Sequence, residues 1–218
     1  MDLAGAPRRL NLGRWVVWAL VAAFLGLLAY GLLSKGTDDR IDEALASGRA
    51  APAPSFSLEL IERGTLPPGL ARTVGDRIAG ERLSLADLRG VPVVLNLWAS
   101  WCTPCREEAD RLQQGWRLLG PRGVLFLGLD IQDLRDDAHA FVRRYGATYP
   151  SVREPGRETA NSFGATGIPE TYFLDRRGRV VGHVIGVVSS AQLLAGATAA
   201  EKGRVAGRST GGESFKIR

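Results

Sequence analysis

The stretch VVLNLWASWCTPCREE, residues 93–108, decides the fold of this chain. It contains both cysteines of the 218 residues, Cys102 and Cys105, separated by two residues. Two thiols exclude a disulfide framework and a four-cysteine zinc site. The spacing therefore predicts one dithiol that opens, closes and exchanges disulfides.

The sequence on either side of the pair predicts a strand, a reactive turn and a helix. The apolar run 91–98 is short and rich in valine and leucine, as in a buried strand. After the pair, apolar residues recur at spacings of three and four: Ala109, Leu112, Trp116 and Leu119. A helix that begins at the motif places Cys102 at its positive end, where the thiolate is favoured and the thiol pKa is lowered. Pro104 suits the first helical turn.

Two other interpretations of the cysteine pair remain open. The cysteines can be packed apolar residues that happen to lie three apart, although the flanking tryptophans and the intervening proline argue against coincidence. The pair can also bind a metal, which requires two more ligands. The chain offers only His139 and His183 besides carboxylates, and each is interpreted as a surface or half-buried side chain.

Residues 93–108 resemble the thioredoxin superfamily, and specifically its membrane-anchored extracytoplasmic branch of TlpA, ResA and CcmG/DsbE-like proteins. About sixty residues on, TGIPET at 166–171, followed by YFLD, resembles the cis-proline loop and strand of that family. The resemblance covers roughly residues 52–200. It implies an α/β thioredoxin-like fold, with a central mixed sheet flanked by helices and one transmembrane helix before it.

The resemblance also implies roles for residues outside the pair. Pro169 is expected to be the cis-proline that faces the cysteines, and Ile168 to offer its backbone to a substrate peptide as an added strand. We also expect Trp101, Thr103 and Pro104, next to the reactive sulfur, to contact the substrate. No cofactor is expected besides the redox-active pair itself.

One position departs from cytoplasmic thioredoxins, which carry a buried aspartate six residues before the first cysteine. The residue here is Asn96, whose amide cannot take a proton from the resolving thiol of Cys105. Glutamates near the pair are thought to take that role in the anchored branch, and Glu108 and Glu170 match their positions. The alternative interpretation is that both are solvated surface charges.

Residues 15–33 form an uncharged apolar run of 19 residues, about 28 Å long as a helix, which matches a hydrocarbon core of roughly 30 Å. Arginines precede the run and aspartates follow it, so residues 1–14 are predicted to be cytoplasmic and everything after Ser34 extracytoplasmic. A cleaved signal peptide is the alternative. It is disfavoured because the run is long and no clear small-x-small site follows it.

The net charge of +5 comes from the two ends of the chain. Residues 1–35 carry four Lys or Arg and one Asp, and residues 202–218 carry five and one Glu. The interior, with 19 basic and 21 acidic residues, is slightly acidic, so no nucleic-acid surface is indicated. The glycine-containing, basic tail 203–218 is predicted to be disordered.

Residues 34–54, which end in APAP, are predicted to be a tether, and residues 55–202 one thioredoxin-like domain. The predicted strands are 55–61, 91–98, 123–130, 171–175 and 179–187; the predicted helices are 103–119, 133–146, 157–164 and 190–202. Residues 62–81 exceed a usual connection. They are either a partner-recognition loop or a surface insertion.

Together these features predict a membrane-anchored disulfide reductase. By the resemblance, its clients include apocytochrome c during cytochrome c maturation, and a membrane thiol transporter of the CcdA/DsbD kind re-reduces it. A general or oxidase-assembly thiol reductant, or an oxidant, remains an alternative because the fold does not set the direction of exchange. Two other classes also remain: a copper-binding assembly chaperone and a non-redox binding module.

Overall fold

The computed structural model describes residues 12–33 and 39–217 of the chain. The chain divides into two compact units, Met1–Gly36 and Thr37–Arg218. The first contains helix α1, Leu12–Leu33, with exposed large apolar side chains such as Trp15, Phe24 and Leu27. Within the two described ranges, no helix meets the length and apolarity that a membrane crossing requires. Membrane spanning by residues 15–33 therefore stays a prediction.

The second unit alternates strands with helices. Its helices are α2 (Arg40–Ala46), α3 (Pro68–Ile78), α4 (Thr103–Leu119), α5 (Arg135–Tyr145), α6 (Glu158–Ser162) and α7 (Ser190–Lys202). Its strands are β1 (Ala51–Pro52), β2 (Ser57–Glu62), β3 (Arg82–Ser84), β4 (Val93–Trp98), β5 (Leu125–Ile131), β6 (Ser151–Glu154), β7 (Gly167–Ile168), β8 (Glu170–Leu174), β9 (Arg179–Ile185), β10 (Gly207–Thr210) and β11 (Phe215–Lys216).

The described strands form a nine-stranded mixed sheet and a separate two-stranded sheet. The large sheet has the order β1-β9-β8-β4-β5-β6-β2-β3, with β10 added parallel to β9. Strand β4 lies at its centre, parallel to β5 and antiparallel to β8. Strands β7 and β11 form the second sheet as an antiparallel pair. This α/β arrangement confirms the predicted thioredoxin-like fold.

The apolar residues around the cysteine motif build the core beneath the site. Every residue of β4 and β5 is buried, because both strands are covered on two faces. Helix α4 buries the apolar stripe predicted from the sequence, which includes Leu112 and Trp116. Because β4 ends at Trp98 and α4 begins at Thr103, the buried sheet and helix fix the position of the turn between them.

The predicted tether 34–54 is wrong over its described C-terminal part. Residues 40–46 form α2, which buries Ile41 and Leu45, and Ala51 is buried in β1 on the edge of β9. Ile41 and Leu45 are four positions apart, so they lie on one face of the helix and pack against the core. The sequence signal was weak because the helix has only seven residues and two alanine-proline pairs follow it.

The predicted disorder of the tail 203–218 is also wrong over its described residues. After α7 the chain continues as β10 beside β9 and as β11 beside β7. Main-chain hydrogen bonds hold both strands, so glycine and basic side chains do not prevent pairing. Residues 62–81 contain α3, which buries Leu70, Val74 and Ile78, so this stretch packs on the core.

Candidate active site

The two cysteines form a disulfide at the N-terminus of α4, as the spacing predicted. Their Cα atoms are 5.3 Å apart. Cys102 is the N-cap residue, and its sulfur accepts a hydrogen bond of 3.2 Å from the main-chain N–H of Cys105. Pro104 occupies the first helical turn. When the disulfide opens, a thiolate at Cys102 therefore has a main-chain donor and the positive end of the helix dipole to stabilise its negative charge.

The loop that contains Pro169 lies against this pair. The Ile168–Pro169 peptide bond is cis, as expected from the resemblance. The carbonyl oxygen of Ile168 is 3.7 Å from the sulfur of Cys102. Ile168 belongs to β7, so strand main chain that pairs with β11 in this structure lies directly beside the sulfur. Peptides bind strand main chain of this kind as an added strand once it is unpaired.

Glu108 is buried one helical turn after Cys105, on the same face of α4. Its carboxylate accepts hydrogen bonds from the Asn96 amide, 2.7 Å, and from the Val188 main-chain N–H, 2.8 Å. Burial raises the pKa of Glu108 to about 7, although both hydrogen bonds and the charge of Arg111 oppose that rise. The interpretation of Glu108 as a solvated surface charge is wrong, and a carboxyl group with this pKa suits proton transfer near neutral pH.

Glu170 is also fully buried, but its carboxylate faces the main chain of its own loop. One oxygen accepts hydrogen bonds from the N–H groups of Thr166 and Gly167, each 2.9 Å, and from the Thr166 hydroxyl. The other oxygen accepts the Tyr172 hydroxyl and contacts a ring nitrogen of His183. The surface-charge interpretation is therefore wrong here too. These hydrogen bonds show that Glu170 holds the cis-proline loop in its conformation.

A chain of polar contacts connects Glu170 to the surface. His183 lies between two carboxylates, with Nε2 at 2.9 Å from Glu170 and Nδ1 at 2.8 Å from Asp42. Burial lowers the pKa of His183, but the hydrogen bonds and charges of Asp42 and Glu170 outweigh it and the net shift is upward. Arg208 of β10 forms an ion pair of 2.8 Å with Asp42, and the Tyr172 ring stacks on the imidazole.

The sequence did not predict this network. Asp42 and His183 are 141 positions apart, and no local pattern relates them. Asp42 fell inside the predicted tether, and Arg208 inside the predicted disordered tail. Asp42 lies in α2, directly after the buried Ile41. The interpretation of residues 34–54 as a tether did not include this helix, so it gave Asp42 no place in the fold.

The three residues predicted to contact substrate differ in exposure. Trp101 and Thr103 are exposed beside the pair, whereas Pro104 is buried. The Trp101 ring donates a hydrogen bond of 3.0 Å to the Gln132 carbonyl, which holds an exposed aromatic surface next to the sulfurs. Two of the three side chains are therefore exposed next to the pair.

Within residues 12–33 and 39–217, no group of three or more His, Cys, Asp and Glu residues is arranged to hold a metal ion. The chemistry carried by the site is that of its disulfide. A disulfide between two cysteines three positions apart, on a thioredoxin-like fold, defines the class of this protein: it is a thiol–disulfide oxidoreductase.

Comparison with known proteins gives the family. Residues 50–183 match the AhpC/TSA family, and the chain belongs to it. It is 25% identical over 186 residues to the thiol-disulfide oxidoreductase ResA of Bacillus subtilis, covering 85% of this chain and 90% of that protein. The ResA of Geobacillus thermodenitrificans is 26% identical over 176 residues, covering 81% and 87% of the two chains.

Solved structures show the same fold. A DsbF homologue from Corynebacterium diphtheriae superimposes with a TM-score of 0.54 at 28% identity, over 69% of this chain and 87% of that one. A thioredoxin-family thiol:disulfide interchange protein from Chlorobium tepidum gives 0.55 at 27% identity, over 70% and 97%. These similarities support a protein of the TlpA, ResA and CcmG kind, which works through a redox-active disulfide.

Proposed function

We propose that the protein is a membrane-anchored, extracytoplasmic reductant of client disulfides, and that its clients include apocytochrome c during cytochrome c maturation. The observation that carries the proposal is the Cys102–Cys105 disulfide on the helix N-terminus beside the Ile168 edge. The similarity to ResA proteins supports the same class of reaction. The apolar surface of α1 supports the anchor.

The reaction proceeds in two exchanges. The Cys102 thiolate attacks one sulfur of the client disulfide, which forms a mixed disulfide and releases one client thiolate that takes up a proton. Glu108 accepts the proton of the Cys105 thiol. The Cys105 thiolate then attacks Cys102, the second client thiolate leaves, and the protein disulfide closes. Two electrons pass to the client, and a membrane thiol transporter of the CcdA/DsbD kind returns the protein to the dithiol form.

The positions of the other residues fit these steps. The Ile168 main chain binds the client segment as a strand, and Trp101 and Thr103 contact it from the side of the pair. Glu170 holds the loop that presents Ile168, so it acts through the loop and does not touch the sulfurs in this proposal. Pro169 shapes the loop and removes one main-chain donor beside the pair.

The proposal is tested with the reduced protein and an oxidised peptide that contains the Cys-x-x-Cys-His haem-attachment sequence. We expect the peptide to gain two thiols for each protein disulfide formed, measured by alkylation and mass spectrometry. Cys102→Ser should give no product, and Cys105→Ser should accumulate the mixed disulfide because the resolving sulfur is missing. An inert wild-type protein, or an oxidised protein that drives the reduced peptide to its disulfide, would contradict the proposal.

A further inference from the structure

The C-terminal segment 211–217 leaves the large sheet and pairs with β7, the strand that contains Ile168. We call it the closing segment. Its first half is held by three main-chain hydrogen bonds: Gly211 N–H to Ile185 O, 2.7 Å; Gly212 N–H to Val187 O, 2.9 Å; and Val187 N–H to Glu213 O, 3.0 Å. Its second half forms β11, which pairs with β7. The segment thus connects the edge of the sheet to the cis-proline loop.

The register of this pairing brings the closing segment to the client position. Phe215 lies opposite Ile168, and Lys216 lies opposite Gly167, in antiparallel orientation. The same Ile168 approaches the Cys102 sulfur with its carbonyl oxygen. Since a strand edge accepts one partner at a time, a client peptide and the closing segment compete for this main chain.

The burial of the sulfurs agrees with an occupied edge. Cys102 is 0% exposed and Cys105 is 2% exposed. Exchange at Cys102, in either direction, requires a partner sulfur within bonding distance, and the oxidised conformation seen here leaves no room for one. A movement must uncover Cys102 before exchange. The closing segment is the part of the chain that pairs with the residue beside it.

The closing segment makes so few contacts that a client peptide can displace it from β7. Only two residues of β11 pair with β7, and Ile217 is partly buried against the core. The segment begins with two glycines, which lose more conformational freedom on ordering than other residues. Gly211 passes so close to the neighbouring loop that a Cβ atom would lie 2.2 Å from the Val187 carbonyl oxygen. A side chain at this position must therefore shift the segment.

We propose that the closing segment is an intramolecular substitute for the client peptide, which caps the Ile168 edge and must be displaced before Cys102 reacts. This inference rests on the proposed function, which places the client on that edge. It also names the substrate class: an extended segment, free of proline at the paired positions, that is recognised mainly through its main chain.

The test compares the wild-type chain with a chain that ends at Thr210 and with Gly211→Ala. Gly69→Ala is the matched control, because that glycine is in helix α3 and an added Cβ meets nothing within 4 Å. The first readout is the rate at which iodoacetamide alkylates Cys102 in the reduced protein. We expect the alkylation rate to increase at least about tenfold in both altered chains and to stay unchanged in the control. The rate should scale with the fraction of molecules in which the closing segment has left Ile168.

The second readout is reduction of the oxidised Cys-x-x-Cys-His peptide. We expect KM to fall by a similar factor with kcat little changed, because the cap competes with binding and does not alter the chemical step. A synthetic peptide of residues 209–218 added to the shortened chain should raise KM again, and a scrambled peptide should not. Circular dichroism verifies the fold of each variant.

An unchanged rate of Cys102 alkylation in the shortened chain and in Gly211→Ala would overturn the inference, regardless of the result with the oxidised Cys-x-x-Cys-His peptide. Faster alkylation without peptide reduction in any form would support the cap and count against the proposed client. The two readouts therefore separate failure of this inference from failure of the proposed function. If the shortened chain does not fold, Gly211→Ala decides the question alone.

Discussion

Among single residues, the main finding is the buried carboxyl group of Glu108, one helical turn after Cys105 on α4. Its usual pKa of 4.5 rises to about 7 because burial penalises the charged form more than its hydrogen bonds and Arg111 stabilise it. At neutral pH the group is present in both protonation states. These two states suit the role proposed for Glu108 above, which is to accept the Cys105 proton and return it.

Replacement of Glu108 by glutamine should slow resolution of the mixed disulfide by about 100-fold or more, the usual contribution of a general base. The amide keeps the size of the side chain but cannot take a proton. Stopped-flow measurement of client release across pH 6–8 should show the loss of a group that titrates near 7. Glu107→Gln, an exposed neighbour on the same helix, is the control. An unchanged pH profile would remove Glu108 from the mechanism.

The same pKa shift predicts a pH-dependent stability. The folded-state pKa lies above the unfolded value, so the contribution of Glu108 to stability is full below about pH 4.5 and is lost as the pH rises through about 7. At about 1.4 kcal/mol for each pKa unit, the loss amounts to about 3 kcal/mol. Urea unfolding of oxidised Glu108→Gln should therefore show a weaker fall in stability from pH 5 to pH 8 than wild type. If the free energies of unfolding of the two proteins fall in parallel with pH, the raised pKa of Glu108 is contradicted.

At the scale of elements, strong local patterns predicted most of the domain. The bounds of α4 and α7 agree with the predicted helices 103–119 and 190–202, because apolar periodicity and terminal signals coincide there. Short elements escaped prediction: α2, β1, β3, β6, β7, β10 and β11 each have seven residues or fewer and depend on tertiary packing. The longer helix α3 was also missed, inside the stretch 62–81 that was interpreted as a loop or insertion. The pair and Pro169 were predictable because short motifs encode them. The roles of Asn96 and His183 were not, since their partners are distant in sequence.

The cis-proline loop offers a prediction at this scale. Glu170→Gln removes an acceptor from the cluster of donors at Thr166, Gly167, Tyr172 and His183. Loss of a buried charged acceptor should cost about 1–3 kcal/mol of folding free energy and loosen the Ile168 edge. We expect KM for the peptide to rise while the Cys102 pKa stays close to its wild-type value, because the carboxylate faces the loop.

Peptide kinetics and thiolate absorbance against pH measure these two quantities. Glu43→Gln, an exposed glutamate in α2, serves as the control. A large change in the Cys102 pKa with an unchanged KM would show that Glu170 acts on the sulfurs and not on the loop.

At the scale of the whole molecule, the folded unit begins before residue 55. Ile41 and Leu45 are buried, and Asp42 reaches the His183 network from α2. A chain that begins at residue 55 should therefore be about 3–6 kcal/mol less stable than one that begins at residue 37, given 1.5–3 kcal/mol for each large buried side chain. Urea denaturation of the two fragments compares them directly. Equal midpoints would restore the interpretation of residues 34–54 as a tether.

The direction of electron flow belongs to the whole molecule, because every group around the pair contributes to it. We would therefore measure the equilibrium reduction potential of Cys102–Cys105 in the full chain by titration against glutathione or dithiothreitol. If the protein is a reductant, we expect one two-electron transition at or below about −220 mV, where reduction of a client disulfide is favourable. A potential near −120 mV would make the protein an oxidant, and the absence of a redox transition would contradict disulfide exchange altogether.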